Sequence, residues 1–447
     1  MTGWAGWALY TLTFAAICFS WSWTIVLYIN GNRYLAVWNA RGQGHDSDYL
    51  WVFLVPALNE GVTIADSVAR LCDVDATHKI ILVINDGSDD DTGDVLASIA
   101  GPDLAVLTRT PPNARLGKAA ALNNAITYLH DGLLSTDEYR QWTADNTIVA
   151  IVDADGRLDR HAPGWVSRHF DNSRVGGVQV NVAIYNQDSW LTRMQAREFQ
   201  IFGGLFQLGR SHWGTAFMGG NGQFNRLSAL RSVSTNEGPW SDYLTEDQEL
   251  GLRLLERGWK CEHDPATYVS QQGVNSVRRL YRQRTRWMQG NLQVLANVRR
   301  LYAHHLHGMR RLDAAFTITM PALQILVGAA VIISLIAAVG FSVPFIPFGQ
   351  PVAVAVMVAF GFGPIGMGVI VAGRGKGWAG VPQTAALFFS YYLYVWLMWP
   401  VVGLGMIRHV RGATTWSKTD REAIGATDVT GPRRSTAATA PPSSTPL

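Results

Sequence analysis

Carboxylate side chains follow short apolar runs of this sequence, at the points where buried strands would end. Asp153 and Asp155 come directly after Ile148–Val152, and Asp86 comes just after Lys79–Ile84. Two carboxylates one residue apart can hold a hard divalent cation, because Mg²⁺ commonly binds through one or two carboxylates plus substrate phosphates. A carboxylate at the position of Asp86 can accept hydrogen bonds from a nucleotide base or ribose. Ordinary turn chemistry also uses Asp and Gly, so it is the strand-end position that favours a binding role.

A further carboxylate, Asp247, lies at the start of a helix-like segment that runs from Thr245 to Leu255. Thr245 followed by Gln248 fits a capping box, in which two side chains satisfy backbone N–H groups at the helix start. Capping leaves Asp247 available as a general base that deprotonates a hydroxyl group, with its pKa tuned by a pocket. These residues alone leave both interpretations open.

A basic stretch begins at Arg278 and leads to Gln283, Arg286 and Trp287. A basic helix beside a membrane segment usually faces solvent or lipid headgroups, which is our interpretation of the three arginines before residue 283. The guanidinium of Arg286 can neutralise a departing diphosphate. The indole of Trp287 can stack on the apolar face of a sugar ring, or it can belong to the core.

An alternation of strands and helices would position these groups. Short β-branched or aliphatic runs, each followed by a polar turn, lie at 51–55, 79–84, 104–107 and 147–152. This pattern predicts a parallel sheet in an α/β domain. Ligands of open α/β sheets bind beyond the carboxyl ends of the strands, so the polar segments 56–60, 85–91 and 153–155 should converge on one crevice.

Segments without Asp, Glu, Lys or Arg flank this domain, at 1–32, 314–373 and 377–407. About 20 apolar residues suffice to span a bilayer. We therefore predict transmembrane helices at roughly 9–29, 315–339, 351–372 and 385–407. The expected organisation is an N-terminal transmembrane anchor (1–32), the α/β domain (33–275), basic interfacial helices (276–313), about three transmembrane helices (314–410) and a disordered tail (411–447).

Basic residues around these segments predict the orientation of the chain. Arg33 follows the first span and Arg311 precedes the next, so the positive-inside rule places the α/β domain in the cytoplasm of a multi-pass cell-membrane protein. The side of the tail stays open: four spans place it outside, whereas its basic residues, or a re-entrant segment at 361–368, favour inside. Residues 190–214 are expected to form either an interfacial amphipathic helix or a buried core helix.

The composition gives no sign of a nucleic-acid partner or of a metal or redox site built from cysteines. A formal net charge of +3 gives no reason to expect nucleic acid as a partner. Cys18, Cys72 and Cys261 have neither metal-ligand nor redox spacing, so we expect them to be small buried hydrophobes.

Taken in order, these motifs resemble the membrane-bound branch of the family 2 inverting glycosyltransferases, which contains cellulose, hyaluronan, chitin and poly-N-acetylglucosamine synthases. The resemblance covers about residues 51–293. It rests on the ordered motifs VPALNE at 55–60, DGS at 86–88, GKAAALN at 117–123, DAD at 153–155, TED at 245–247 and QRTRW at 283–287. It implies an α/β GT-A-type (Rossmann-like) catalytic domain plus transmembrane α-helices.

For the donor side, the resemblance implies that Ala57, Glu60 and Asp86 line a uridine pocket. It also implies that Lys118 reaches toward the donor and that Asp153 contacts the nucleotide or the donor sugar. The expected donor is a UDP-sugar, with UDP-N-acetylglucosamine and UDP-glucose as the leading choices.

For the reaction, the resemblance implies that Asp155 binds Mg²⁺ or Mn²⁺ on the diphosphate and that Asp247 is the catalytic base. Arg286 would contact the diphosphate, and Trp287 would be a platform for the acceptor, in a motif that begins at Gln283. Attack on the side opposite the leaving group inverts the anomeric configuration, so a UDP-α-sugar gives a β-linkage.

The resemblance implies a glycan or lipid acceptor next to membrane lipids. The leading expectation is extension of a β-linked polysaccharide, and the alternative is transfer of one sugar to a lipid, since four spans are few for a channel. A transporter or an inactive scaffold would have no need of the ordered carboxylates. The segment 217–226 differs from the acceptor loop of cellulose- and hyaluronan-type enzymes, so their sugar specificity is not carried over.

Overall fold

The structure, a computed structural model, describes residues 4–99, 101, 103–341, 366, 368 and 381–412. At the centre of the described chain lies one eight-stranded sheet. Its strands are β1 (Leu50–Ala57), β2 (Lys79–Asn85), β3 (Leu104–Thr108), β4 (Thr147–Ile151), β5 (Arg157–Leu158), β6 (Val175–Ile184), β7 (Gln223–Arg226) and β8 (Lys260–Gln271). The four strands predicted from the sequence are confirmed as β1 to β4.

The strand order in the sheet is β3-β2-β1-β4-β7-β6-β8-β5. Strands β3, β2, β1 and β4 run parallel, as predicted. The sheet as a whole is mixed, because β7 is antiparallel to both β4 and β6, and β5 is antiparallel to β8. The predicted parallel arrangement is therefore confirmed for these four strands and does not extend to the whole sheet. The reversing strand β7 is Gln-Phe-Asn-Arg, a short polar sequence without the apolar pattern that marks a strand.

Helices cover both faces of the sheet and extend beyond it. They are α1 (Trp4–Asn39), α2 (Ile64–Cys72), α3 (Thr92–Ser98), α4 (Lys118–Tyr128), α5 (Ala162–Phe170), α6 (Trp190–Ile201), α7 (Leu208–Ser211), α8 (Leu227–Val233), α9 (Glu246–Glu256), α10 (Val277–Leu295), α11 (Gly308–Phe341), α12 (Val381–Met398) and α13 (Pro400–Val410). A π-helical segment, Phe202–Gln207, joins α6 to α7 into one continuous rod. This rod is the helix expected between residues 190 and 214.

The sheet has apolar layers on both faces. On one face, alternate β1 residues such as Leu50 and Val52 pack in a fully buried cluster with residues of α4, α8 and α9. On the other face, Trp51 and Phe53 pack in a second cluster with residues of α2 and α5. Burying one such side chain contributes roughly 1.5–3 kcal/mol, so these two layers hold the strands and their carboxyl ends in place.

Three described helical stretches are long and apolar enough to cross a membrane: Phe14–Asn39, Gly308–Ala329 and Pro382–Val410. They correspond to the predicted first, second and fourth spans. The predicted span at 351–372, including the segment considered as re-entrant, lies outside the described residues apart from 366 and 368. The tail beyond residue 412 lies outside them as well.

A buried carboxylate ties two of these helices to the α/β unit. Asp313 of α11 accepts a hydrogen bond from Trp23 Nε1 of α1 at 3.1 Å and one from Thr215 Oγ1 at 2.6 Å. The Arg210 guanidinium of α7 lies 3.6 Å from the same carboxylate. The contacts therefore fix α1 and α11 against the end of the α6–α7 rod.

The three cysteines are free thiols in different surroundings. Cys261 is buried, as expected, whereas Cys18 is half-buried and Cys72 is exposed. The expectation of burial is therefore confirmed for Cys261 alone, and it is wrong for Cys72, the last residue of α2, which is exposed.

Candidate active site

A cavity of about 440 Å³ opens at the carboxyl ends of β1, β2 and β4. Its opposite wall is formed by the α6–α7 rod and by α9 and α10. The cavity is lined by every residue that the sequence singled out, namely Ala57, Glu60, Asp86, Lys118, Asp153, Asp155, Asp247, Gln283, Arg286 and Trp287. The strand ends therefore converge on one crevice, as the alternating pattern predicted. The roles of the individual residues stay predictions.

Asp86 is held from several sides. Its Oδ1 atom accepts a hydrogen bond from the Arg109 guanidinium and another from the backbone N–H of Arg115 at 3.0 Å. Its own backbone N–H donates to the carbonyl oxygen of Ala57 at 2.9 Å. Burial raises the pKa of Asp86 and outweighs the lowering by these hydrogen bonds and by the charge of Arg109. Asp86 is thus a rigid acceptor at the floor of the cavity.

Glu60 anchors the loop after β1. Its carboxylate accepts a hydrogen bond from Thr63 Oγ1 at 3.1 Å, and its backbone N–H donates to Thr92 Oγ1 at 2.8 Å. Because Thr92 begins α3, these contacts hold the ends of β1 and β2 together at the cavity rim.

Lys118 connects the two acidic groups of the site. Its Nζ atom lies 2.7 Å from Asp153 Oδ1 and 3.8 Å from Glu246 Oε1. Burial lowers the pKa of the ammonium group, but the neighbouring carboxylates, Asp153 foremost, raise it by more, so Lys118 stays charged. Lys118 begins α4 directly after Gly117, which has a φ of +102°. That left-handed conformation favours glycine and turns the lysine into the cavity.

The Asp153–Asp155 pair is fixed by backbone contacts. The N–H of Asp153 donates to Asn221 Oδ1 at 3.1 Å, and Asp155 Oδ2 accepts the N–H of Gln272 at 3.0 Å. Asn221 is itself positioned by Gln179, whose Nε2 donates to the Asn221 carbonyl oxygen at 2.8 Å. The β7 and β8 side of the sheet therefore fixes the backbone at Asp153 and the carboxylate of Asp155.

Asp247 lies in the first turn of α9, where its Oδ1 accepts the N–H of Gln248 at 2.8 Å. Burial raises the pKa of Asp247 to about 7, assisted by the negative charge of Glu246 and opposed by Lys118 and Arg286. A carboxyl group with this pKa can take up a proton near neutral pH.

The predicted capping box at this helix is wrong, because the side chain of Thr245 makes no capping hydrogen bond. The reason is the close approach of α10. A Cβ atom on Gly290 of α10 would lie 2.6 Å from Thr245 Cγ2, so the threonine side chain is wedged against the neighbouring helix instead of its own backbone.

Gly220 brings the backbone of the 217–226 segment against the carboxylate of Asp247. A Cβ atom at Gly220 would lie 3.0 Å from Asp247 Oδ2 and 3.7 Å from Lys118 Nζ. Its φ of +76° is a conformation that residues with a side chain rarely adopt. The backbone therefore approaches Asp247 and Lys118 at a distance and in a conformation that favour glycine.

Helix α10 supplies the remaining wall, where cationic side chains lie beside the ring of Trp287. Arg286 donates from Nη1 to the carbonyl oxygen of Leu244 at 3.4 Å, and its charge acts on Asp247. The ring of Trp287 meets Phe199 of α6 edge-on, with centroids 6.5 Å apart. The cavity therefore has an acidic end at the sheet and an aromatic end between α6 and α10.

A family model described as "Glycosyl transferase family group 2" matches residues 148–403. The chain belongs to glycosyl transferase family group 2. A second model, "Glycosyl transferase family 2", matches residues 52–233 of this family member. The two matches together cover every residue that lines the cavity.

Two relatives resemble this family 2 chain over part of their lengths. Poly-beta-1,6-N-acetyl-D-glucosamine synthase of Staphylococcus aureus is 28% identical over 250 residues, which are 54% of this chain and 55% of the relative. Beta-monoglucosyldiacylglycerol synthase of Trichormus variabilis is 30% identical over 247 residues, which are 54% of this chain and 48% of the relative. The matched region thus spans about half the length of each relative.

A solved structure supports the fold of this family 2 chain. A mannosyltransferase from Pyrobaculum calidifontis, in complex with GDP-Man and Mn²⁺, aligns with 91% of this chain and 98% of its own. The TM-score is 0.58 and the sequence identity 17%. The predicted GT-A-type fold is confirmed.

Three residues of the family 2 site were not predicted from the sequence. Arg109 pairs with Asp86, Asn221 holds Asp153, and Glu246 adds charge beside Asp247. Arg109 and Asn221 are polar residues of unremarkable local sequence, distant along the chain from the carboxylates they contact. Glu246 did carry a signal, since two acidic residues side by side at a helix start repel each other and raise each other's pKa.

Proposed function

We propose that this protein is a membrane-embedded inverting glycosyltransferase that uses a UDP-sugar to extend a β-linked polysaccharide, adding sugars processively. The observation that carries the proposal is the convergence of all ten predicted residues on one cavity at the strand ends. The cavity combines fixed carboxylates, cations and aromatic rings, which are the groups that nucleotide and sugar recognition requires.

On the donor side, the uridine pocket consists of Ala57, Glu60 and Asp86, where Asp86 accepts hydrogen bonds from the base or ribose. Arg109 keeps this carboxylate oriented. Asp153 contacts the nucleotide or the donor sugar, and Lys118 places a positive charge beside it. The donor is UDP-N-acetylglucosamine or UDP-glucose. The name of the Staphylococcus aureus relative supports the first of these choices.

The residues present fit a divalent cation that is shared with the donor. The described residues contain no group of three or more His, Cys, Asp or Glu that could hold a metal by themselves. Mg²⁺ commonly binds through one or two carboxylates and completes its shell with substrate phosphates and water. Asp155, with Asp153 beside it in the cavity, would provide that anchor for Mg²⁺ or Mn²⁺, and the mannosyltransferase complex with Mn²⁺ supports this choice. When bound, the cation stabilises negative charge on the diphosphate.

The transfer step follows from the positions of Asp247 and Arg286. Asp247 removes the proton from an acceptor hydroxyl, whose oxygen attacks the anomeric carbon from the side opposite the diphosphate. The bond from that carbon to the diphosphate oxygen breaks, and nucleoside diphosphate departs with the electron pair. Arg286 offsets the developing negative charge. One displacement inverts the configuration, so a UDP-α-sugar yields a β-linkage.

On the acceptor side, the aromatic wall of the cavity favours a sugar chain. Trp287 offers an indole on which a terminal sugar can stack, and Gln283 lies one helical turn before it on α10. The alternative function, transfer of one sugar to a lipid, is favoured by the name of the Trichormus variabilis relative.

The membrane arrangement belongs to the same proposal. An N-terminal anchor (1–32) precedes a cytoplasmic catalytic domain (33–275), and basic interfacial helices (276–313) lead into the spans (314–410). Support comes from the three helical stretches that are long and apolar enough to cross a bilayer. The acceptor would thus be a glycan or lipid at the cytoplasmic membrane face.

Product size separates the two functions. Full-length protein is incubated with radiolabelled UDP-N-acetylglucosamine or UDP-glucose, and the product is divided into polymer and solvent-extractable lipid. The proposal predicts label in a polymer whose linkages are β. Label confined to a lipid that carries a single sugar would establish the alternative.

A further inference from the structure

An ion pair crosses the aromatic end of the cavity. Arg284 of α10 and Glu198 of α6 both line the cavity, and Arg284 Nη2 lies 2.6 Å from Glu198 Oε2. The Arg284 side chain is 12% exposed and the Glu198 side chain 30% exposed. Loss of either partner would leave a largely enclosed charge without its counter-ion, so the contact between the two side chains is costly to break.

The same carboxylate oxygen is held from a third helix. Tyr394 of α12 donates from its hydroxyl to Glu198 Oε2 at 2.8 Å. The side chain of Tyr394 is buried. Most residues of the apolar stretch that contains it, Pro382–Val410, are not buried within the protein. Trp190 of α6 meets the ring of Tyr394 edge-on, with centroids 6.3 Å apart. Tyr394 is therefore a specific contact between a candidate membrane helix and the cavity wall.

Arg284 in turn covers one face of Trp287. Its Cζ atom lies 4.2 Å from the centroid of the Trp287 ring, and Phe199 meets the same ring edge-on. A guanidinium over an indole face is an attractive contact. It also occupies that face, so it limits which part of the Trp287 ring a ligand in the cavity can contact.

We propose that Tyr394, Glu198 and Arg284 form a positioning chain that fixes the orientation of Trp287 and thereby selects the acceptor. This inference rests on the proposed function, in which Trp287 is the platform for the acceptor. The chain starts on α12, passes through α6 and ends on α10. A displacement of the candidate membrane helix α12 is therefore transmitted to the acceptor end of the cavity, while the donor end at the sheet is unaffected.

The proposal is tested by separating donor kinetics from acceptor kinetics. Purified full-length protein is assayed for UDP release from UDP-N-acetylglucosamine or UDP-glucose, first without an acceptor and then with increasing β-linked N-acetylglucosamine tetramer. We expect Glu198→Gln and Tyr394→Phe to raise the KM for the tetramer by about tenfold and about threefold. The donor KM and the acceptor-free UDP release should stay within twofold of the wild type.

Matched variants exclude a general structural effect. Tyr391→Phe removes a hydroxyl one turn away on α12, where the described part of the chain shows no hydrogen bond to Glu198. Glu256→Gln breaks another ion pair, in which Arg300 Nη1 lies 2.7 Å from Glu256 Oε2. Neither residue of this pair lines the cavity. Both controls should keep the wild-type KM for the tetramer.

Two results would overturn the positioning chain. One is an unchanged KM for the tetramer in both Glu198→Gln and Tyr394→Phe. The other is a parallel loss of donor turnover in these variants, which would indicate a collapsed site. A wild-type protein that releases no UDP from any sugar nucleotide would instead contradict the proposed function itself, so the two failures are distinguishable.

Discussion

At the scale of single residues, the protonation state of Asp247 decides whether it can act as the proposed base. Burial and the adjacent Glu246 raise the pKa of its carboxyl group to about 7, and Lys118 and Arg286 oppose that rise. A general base acts in its deprotonated form, so the proposed reaction gains rate as the pH rises through this value. A surface aspartate, with a pKa near 4, would be fully deprotonated at neutral pH but would be a weaker base.

The first prediction concerns this pH dependence. The rate of UDP release at saturating donor should rise with pH to a plateau, with the midpoint near pH 7. Glu246→Gln removes a nearby negative charge, so the pKa of Asp247 falls and the midpoint should move to lower pH. Lys118→Met removes a positive charge and should move it to higher pH. Rate profiles from pH 5 to 9 measure all three midpoints, and identical midpoints would show that Asp247 is not the titrating base.

The second prediction concerns the backbone beside that carboxylate. Gly220→Ala forces a side chain into a left-handed conformation, at a cost of about 1–2 kcal/mol. It also places a methyl group 3.0 Å from Asp247 Oδ2, so we expect at least a tenfold loss of kcat. Gly42→Ala is the control, because a Cβ atom there has nothing within 4 Å. Equal kcat values for the two variants would remove Gly220 from the site.

Residues of the site could be predicted where the pattern that marks them is local in the sequence. Asp86, Asp153 and Asp155 stand at strand ends, and short aliphatic runs before them mark those strands. Their partners could not be predicted in the same way. Arg109 meets Asp86 because β3 lies beside β2, and Asn221 meets Asp153 because the segment before β7 returns to β4. Such pairings depend on the topology and have no signal in the neighbouring sequence.

At the scale of elements, the packing of α9 against α10 sets the distance between Asp247, the proposed base, and Trp287. Gly290 of α10 lies so close to Thr245 that a Cβ atom there would come within 2.9 Å of the Thr245 backbone nitrogen. Asp247 lies in the first turn of α9, and Arg286 and Trp287 lie about one turn before Gly290 on α10. Separating the two helices would therefore move Asp247 away from Arg286 and Trp287.

The third prediction compares two helical glycines. Gly290→Ala should cost about 1–3 kcal/mol of stability from overpacking and should lower kcat, because α10 must move away from α9. Gly403→Ala, in α13, meets nothing within 4 Å and should instead be neutral or stabilising by up to about 1 kcal/mol. Thermal unfolding in detergent and UDP release measure both effects. A Gly290→Ala protein as stable and active as Gly403→Ala would contradict this packing argument.

The elements themselves differed in how far the sequence predicted them. Strands β1 to β4 and helix α9 carry apolar patterns of the right period, and their predicted positions are confirmed. Strand β7 is short and polar, so the mixed sheet was not foreseen. The capping box at Thr245 failed because its side chain is determined by Gly290, 45 residues further along, and not by its own helix.

At the scale of the whole molecule, buried polar contacts fasten candidate membrane helices to the catalytic unit. Asp313 connects α11 with α1, and Tyr394 connects α12 with Glu198 on α6. Charge-free segments predicted these helices well, because apolar length is a local property of the sequence. The polar side chains that make these contacts had no such signal.

The fourth prediction tests the proposed cytoplasmic location of the catalytic unit, with a native cysteine as the reporter. Cys72 is exposed in the catalytic unit, whereas Cys261 is buried. A membrane-impermeant maleimide should label the protein in inside-out vesicles and leave it unlabelled in intact cells, and Cys72→Ser should abolish most of the labelling. Labelling of Cys72 in intact cells would place the catalytic unit on the outer side and refute the cytoplasmic assignment.

The most direct test of the central claim is UDP release by purified full-length protein from a panel of UDP-sugars, with Asp247→Asn as the comparison. The proposed mechanism predicts that one or two sugar nucleotides are turned over in the presence of Mg²⁺ or Mn²⁺. Because a general base typically contributes a factor of about 10²–10⁴, Asp247→Asn should lower the rate by that factor while the donor still binds. Turnover of donor and acceptor at the wild-type rate by Asp247→Asn would contradict the account.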